Sequence, residues 1–245
     1  MTETHKPKAE PHKPKAEVQK PRPEARSPLQ GLMSPTRPGL SVDPAGTGVP
    51  GICINEISGR DIVQISTWPQ TTDLVLEKLN QALGVKGSMS NHRTSPLAGR
   101  SLFAIAPDKM LLTAPRRDQP FDRLQQLLGS HEAVITDLSH ALAILTLSGT
   151  AARQVLARAM AIDLAPSVFP PGCYCRASIH HITLLVHHRQ PARATSDAGG
   201  EDDTAAPSFD IHIPRSFAVA IWQWLLIAAE PFGLTVAARQ DAGAA

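Results

Sequence analysis

ICINEISGRDIVQISTWPQTTDLVLEKLNQALG, residues 52–84, sets the pattern by which the rest of the chain is read. Two short alternating runs, Ile52 to Ile57 and Asp61 to Thr67, flank Ser58-Gly59-Arg60, and that spacing predicts a hairpin. A helix follows, with Thr71 or Thr72 able to cap it and Asp73 in its first turn. Leu74, Leu76, Leu79 and Leu83 recur at helical spacing until Gly84 stops it.

The same order of elements returns downstream. A polar segment from Lys86 to Gly99 reads as loop. Leu102 to Ala106 and Met110 to Ala114 form a hairpin across Pro107-Asp108-Lys109, and Phe121, Leu124, Leu127 and Leu128 mark a second helix stopped by Gly129. Ala133 to Asp137 and Ala141 to Leu147 are strands around Leu138-Ser139-His140, and a helix from Thr150 to Met160 follows. Ser178 to Val186 and Phe209 to Ile213 are strands joined by a long acidic loop, Arg189 to Pro207. Pro214-Arg215-Ser216 opens a final helix that runs to Glu230. The predicted fold is α+β: two tandem ββαββα units, residues 51–130 and 131–235, with helices packed on largely antiparallel sheets. Residues 236–245 are expected to be a flexible C-terminus.

The 245 residues carry a net charge of +2 that is unevenly distributed. Residues 1–26 hold seven Lys or Arg against four Glu, and the rest holds 17 basic against 18 acidic residues. That tail contains a tandem heptad, His5 to Pro11 and His12 to Val18, whose alternating Lys and Pro deny both helix and strand. Residues 1–25 are therefore expected to be disordered. Ten of the 22 prolines precede residue 51, so residues 26–50 are expected to be extended, anchored by Leu29, Leu32 and Met33. Without an aromatic platform in the tail or a basic excess in the body, no nucleic-acid partner is expected. The most apolar stretch, Phe217 to Ala229, is too short to span a bilayer and is interrupted by Gln223. No leader pattern is present and the three cysteines form no disulfide framework, so a cytoplasmic location is expected.

Candidate chemistry is sparse. Cys173-Tyr174-Cys175 precedes His180, His181, His187 and His188, but Cys-x-Cys fits a tetrahedral ion less well than Cys-x-x-Cys. On a strand, adjacent histidines point to opposite faces, so no metal ligands are assigned. Asp137-Leu138-Ser139-His140 contains the residue types of a nucleophilic triad packed too tightly to serve as one, and reads as a hairpin turn. No Walker loop, nucleophile elbow or dinucleotide turn occurs, and no catalytic or cofactor-binding residue is assigned. The final helix is apolar over more than one face. Either it lies deep in the core, or Trp222 or Trp224 faces a partner.

Several phrases in succession resemble the gamma subunit of bacterial heterotetrameric sarcosine oxidase. They are Arg26-Ser27-Pro28-Leu29-Gln30-Gly31-Leu32, Val134 to Ser139, Leu147 to Leu156, Ile162-Asp163-Leu164, Phe169-Pro170-Pro171-Gly172 and Ile213 to Ala218 leading into Trp222-Gln223-Trp224-Leu225. The resemblance covers residues 26–235 and departs from the family at the heptad tail, at Lys86 to Thr94 and at Glu201-Asp202-Asp203.

What the resemblance implies is a noncatalytic subunit of a complex that demethylates sarcosine to glycine, releasing peroxide and passing the one-carbon unit to tetrahydrofolate. It also implies alpha, beta and delta subunits as partners, which would carry FAD, FMN, NAD, zinc and tetrahydrofolate, and a fold similar to the folate-binding part of the glycine-cleavage T-protein. Trp222, Trp224 and Arg215 are the candidate partner-interface residues. Two other readings stay open: a related complex acting on another N-methyl amino acid, and a free-standing folate-dependent aminomethyltransferase. The latter would need a buried carboxylate, for which Asp137 and Asp163 are the candidates.

Overall fold

A computed structural model describes residues 26–32, 51–87, 92–95, 99–190, 206–237 and 240–241. The expectations for the tail, for Met33 and for the acidic insertion at Glu201 lie outside the described residues. Of the C-terminal stretch 236–245 expected to be flexible, Val236 and Gln240–Asp241 instead lie in strands, a correction that follows from their pairing with the first strand of the larger sheet.

The first two strands, β1 (Ile52–Ser58) and β2 (Arg60–Thr67), are separated by Gly59 at φ 70°. They do not form the expected hairpin. β1 joins a seven-stranded sheet and β2 a four-stranded one. The reason is that β2 is apolar on both faces: Val63 and Ile65 enter one core while Ile62 enters another. A strand covered on both sides cannot lie in a one-sided hairpin, so the chain turns a corner between sheets.

The same happens at the second predicted hairpin. β7 (Ala133–Asp137) pairs with β2, whereas β8 (Leu142–Ser148) pairs with β1. Between the first corner and this one lie α1 (Thr72–Leu83), the short pair β3 (Lys86–Gly87) and β4 (Thr94–Ser95), then β5 (Ser101–Ala106), β6 (Lys109–Pro115) and α2 (Pro120–Leu127). The β5–β6 hairpin is as predicted, but β3 and β4 pair within the segment read as loop. The buried face of α1 is Thr72, Val75, Leu79 and Leu83, and Leu74 points to solvent. Gly84 ends this helix at φ 67°, its N–H donating to the Asn80 carbonyl.

In the second half α3 (Ala152–Ala157) is shorter than predicted. The strand expected from Ser178 to Val186 is instead two, β9 (Tyr174–Ile179) and β10 (Ile182–His188), folded about His180 and His181. His180 takes φ 53°, a left-handed position that polar residues tolerate better than branched ones. β11 (Ser208–Pro214), α4 (Ala218–Ala229), β12 (Leu234–Val236) and β13 (Gln240–Asp241) complete the chain.

The larger sheet runs β12-β1-β8-β11-β10-β9, with β13 also on β1, and the smaller runs β5-β6-β2-β7. The pairs within them are antiparallel except for β12 and β13 on β1. One core joins α3 and α4 to the larger sheet, and another joins α1 and α2 to the smaller. A third, built on Ile62, Phe103, Leu111, Ile144, Tyr174 and Leu185, fills the space between the sheets. The layers are helix, sheet, sheet, helix, and the fold is α+β as read from the sequence.

The two halves exchange strands. β1 leaves the first half to lie beside β8, and β7 leaves the second to lie beside β2. Leu29 from the N-terminal segment enters the main core at 1 % exposure, and the Ser27 hydroxyl donates to the Glu56 carboxylate of β1 at 2.7 Å.

Candidate functional site: an inter-sheet polar layer and an edge groove

The sheet faces turned toward each other are not wholly apolar. Cross-strand register places Thr146 of β8 beside Asp210 of β11, Asp210 beside His187 of β10, and His187 beside Tyr174 of β9. Thr146 Oγ1 donates to Asp210 Oδ1 at 2.7 Å, and Arg189 Nε lies 3.8 Å from Asp210 Oδ2. Burial pushes the Asp210 carboxyl upward against the pull of Arg189. Burial also draws the Arg60 guanidinium of β2 down, with Asp210 opposing.

His187 and His212 complete this layer. Burial, the first cause for each, lowers both imidazoles to about 3, so both are neutral at ordinary pH. His187 Nε2 and His212 Nδ1 are buried with no hydrogen-bond partner among the described residues. The Phe103 ring meets both imidazoles edge-on, at centroid distances of 5.2 and 5.3 Å, and the Tyr174 ring at 5.1 Å. Tyr174 Oη in turn accepts the Ala104 N–H at 2.8 Å, which ties β9 to β5 across the two sheets. The arrangement couples the sheets through neutral rings and one satisfied carboxylate.

The second feature is a groove of about 620 Å³ beside β9, lined by Arg158, Ala159, Ala161 and Ile162, by Arg176 to His180 and by Trp224. Arg158, Arg176 and His180 are exposed at its rim. Trp224 is half-buried, packs on the main core and meets the His180 ring edge-on at 6.3 Å.

The interface residues named from the sequence fare differently. Trp222 is 1 % exposed and lies inside the main core, a correction to its place as a partner anchor. At positions two apart on a helix, Trp222 and Trp224 face roughly opposite directions, and only Trp224 reaches the surface. Arg215 donates from Nη2 to the Arg26 carbonyl, holding the N-terminal segment against the final helix.

The carboxylates named for a transferase are turn residues. Asp137 Oδ1 accepts from the Ser139 N–H at 2.9 Å, and Asp163 Oδ1 from the Ala165 N–H at 2.8 Å. Ser139 Oγ accepts the Ile62 N–H at 3.0 Å, so this turn braces a crossing between sheets rather than a hairpin. The carboxylate between the sheets is the half-buried Asp210, which sequence reading passed over. Its signal is the alternation Phe209-Asp210-Ile211-His212-Ile213, which puts Asp210 and His212 on one face.

The cysteine and histidine cluster is dispersed. Burial, then the neighbouring Cys173, pushes the Cys175 thiol up to about 11, which leaves it an unreactive thiol. His187 faces the other sheet while His188 stacks on Phe209 at 4.6 Å and bonds through Nδ1 to the Phe169 carbonyl. His180 and His181 lie in an exposed turn. Among the described residues no three His, Cys, Asp or Glu side chains are grouped to hold a metal ion, and no helix is long and apolar enough to cross a membrane.

Two back-to-back sheets between helical layers form a fold shared with solved structures. The chain superposes on a chain of the heterotetrameric sarcosine oxidase from Corynebacterium sp. U-96, solved with pyrrole 2-carboxylate, with a TM-score of 0.67 at 24 % identity, covering 84 % of this chain and 95 % of that one. It also superposes on the glycine cleavage system aminomethyltransferase T from Bartonella henselae, with a TM-score of 0.52 at 16 % identity, covering 78 % and 48 %. These place the chain in the T-protein-like fold class.

The sequence model of the sarcosine oxidase, gamma subunit family matches residues 73–230, and the chain belongs to that family. The sarcosine oxidase subunit gamma of Corynebacterium sp. (strain U-96) is 31 % identical over 90 residues, 37 % of this chain, and that match spans 44 % of the relative's length.

Proposed function

We propose that this chain is the noncatalytic gamma subunit of a sarcosine oxidase complex that demethylates sarcosine oxidatively to glycine. Family membership over residues 73–230 is the observation that carries the reading. The site agrees with it: Asp137 and Asp163 are engaged in turns, and the Asp210 carboxylate already accepts from Thr146. In this reading FAD, FMN, NAD, zinc and tetrahydrofolate belong to the alpha, beta and delta subunits, and the complex resides in the cytoplasm.

Tagging the chain in its own host and purifying it gently tests the reading. The expected product is yellow, carries two large companion chains and one small one, and forms peroxide when given sarcosine. A colourless single chain that binds tetrahydrofolate in a calorimeter would replace the subunit reading with that of a transferase.

A further inference from the structure

β9 is the last strand of the larger sheet, and β10 is its ladder partner. On its other side the Tyr174 N–H donates outward to the His92 carbonyl at 2.9 Å. Backbone groups alternate in direction along a strand, so Arg176 and Ser178 also turn their N–H and C=O groups outward, while Cys175, Ala177 and Ile179 face β10. Residues 92–94 bond to the edge only as far as Tyr174; among the described residues no strand pairs with it beyond that point, and the groove lies along it.

Its walls have a distinct chemistry. Arg158 and Arg176 are exposed, no groove-lining residue is acidic, and neither guanidinium has a carboxylate partner among the described residues. Arg176 donates from Nη1 to the Ile105 carbonyl at 3.3 Å, and Arg158 lies 6.0 Å over the Phe232 ring. The floor is apolar, formed by Ala159, Ile162 and Trp224. Ile227, three residues on along the same face of α4, is 70 % exposed and extends that apolar surface.

We propose that an extended, acidic segment of a partner subunit adds to the outer edge of β9 as a further strand. Its carboxylates would meet Arg158, Arg176 and His180, and its alternate apolar side chains would rest on Trp224 and Ile162. Strand addition supplies main-chain hydrogen bonds at Arg176 and Ser178, and the charged rim selects the partner. A second copy of this chain fits poorly, because pairing two such edges would oppose arginines. The inference rests on the subunit reading given above and names the surface that the subunit uses.

Hydrogen exchange on the complex, purified through a tag on this chain, tests it without a mutation. The amides of Arg176 and Ser178 should exchange at least about tenfold more slowly in the complex than in the isolated chain. Two variants complement this measurement. R158E/R176E reverses the rim, and S178P removes an outward N–H while sparing the bonds to β10. Each should recover at least about tenfold less of the companion subunits, with the isolated variant melting where the parent chain does. Unchanged exchange at these amides, or full recovery of companions by R158E/R176E, would overturn the edge-strand proposal and leave the subunit reading standing. A parent chain that elutes alone would overturn both.

Discussion

His187 and His212 make the protein sensitive to acid in a particular window. Their folded pKa values of about 3 lie below the ordinary imidazole value of 6.5. Between those two values the unfolded chain binds protons that the folded chain refuses, so stability falls as pH falls from about 6.5 toward 3. At pH 5 each histidine should cost about 2 kcal/mol relative to pH 8. Urea unfolding at both pH values measures this, and His212→Gln should remove about half of the difference, His187 keeping the rest.

The two tryptophans of α4 should separate by the same kind of measurement. Trp222→Ala empties a fully buried site and should cost about 3–5 kcal/mol in the isolated chain. Trp224→Ala should leave the isolated chain within about 1 kcal/mol of the parent and reduce recovery of companion subunits. The sequence had placed both on one apolar helix without telling them apart, because α4 is apolar nearly all round and its periodicity carries little directional signal.

Where elements meet, a few backbone positions determine what is possible. Gly149 ends β8 at φ 122°, and a Cβ there would lie 2.2 Å from the Gly51 carbonyl oxygen. Gly149→Ala should therefore destabilise the fold by about 2 kcal/mol or more, read as a shift in the urea midpoint at unchanged slope. Element type and order were legible along most of the chain, since strand alternation and helical spacing are properties of consecutive residues. Turns were less so. Ser58-Gly59-Arg60 has the composition of a hairpin loop and forms a corner, while His180-His181 lacks that composition and forms a hairpin turn. At Ser58-Gly59-Arg60 the covering of both faces of β2 outweighed the local preference of the turn residues.

For the molecule as a whole, the exchange of β1 and β7 means that neither half holds a complete sheet of its own. Thermal unfolding of the chain should be a single transition at the same temperature by circular dichroism and by tryptophan fluorescence. Fragments 51–130 and 131–235 should each remain unfolded when made alone and should gain structure when mixed. Independent folding of either fragment would show that the borrowed strand is dispensable. The tandem ββαββα grammar was readable in outline, but the first half adds the β3–β4 pair and the second runs ββαβββα because β9 and β10 are separate strands. The succession of family phrases from Arg26 to Leu225 pointed to the family matched over residues 73–230.

Element types, their order and the family all follow from patterns among neighbouring residues. Strand exchange, the polar layer around Asp210, the burial of Trp222 and the open edge of β9 depend on which distant surfaces meet. A period of two says that Asp210 and His212 share a face, but whether that face meets water or a second sheet is settled when both sides of β2 and β11 must be covered. That requirement acts through packing between residues far apart in the chain, which no local pattern records.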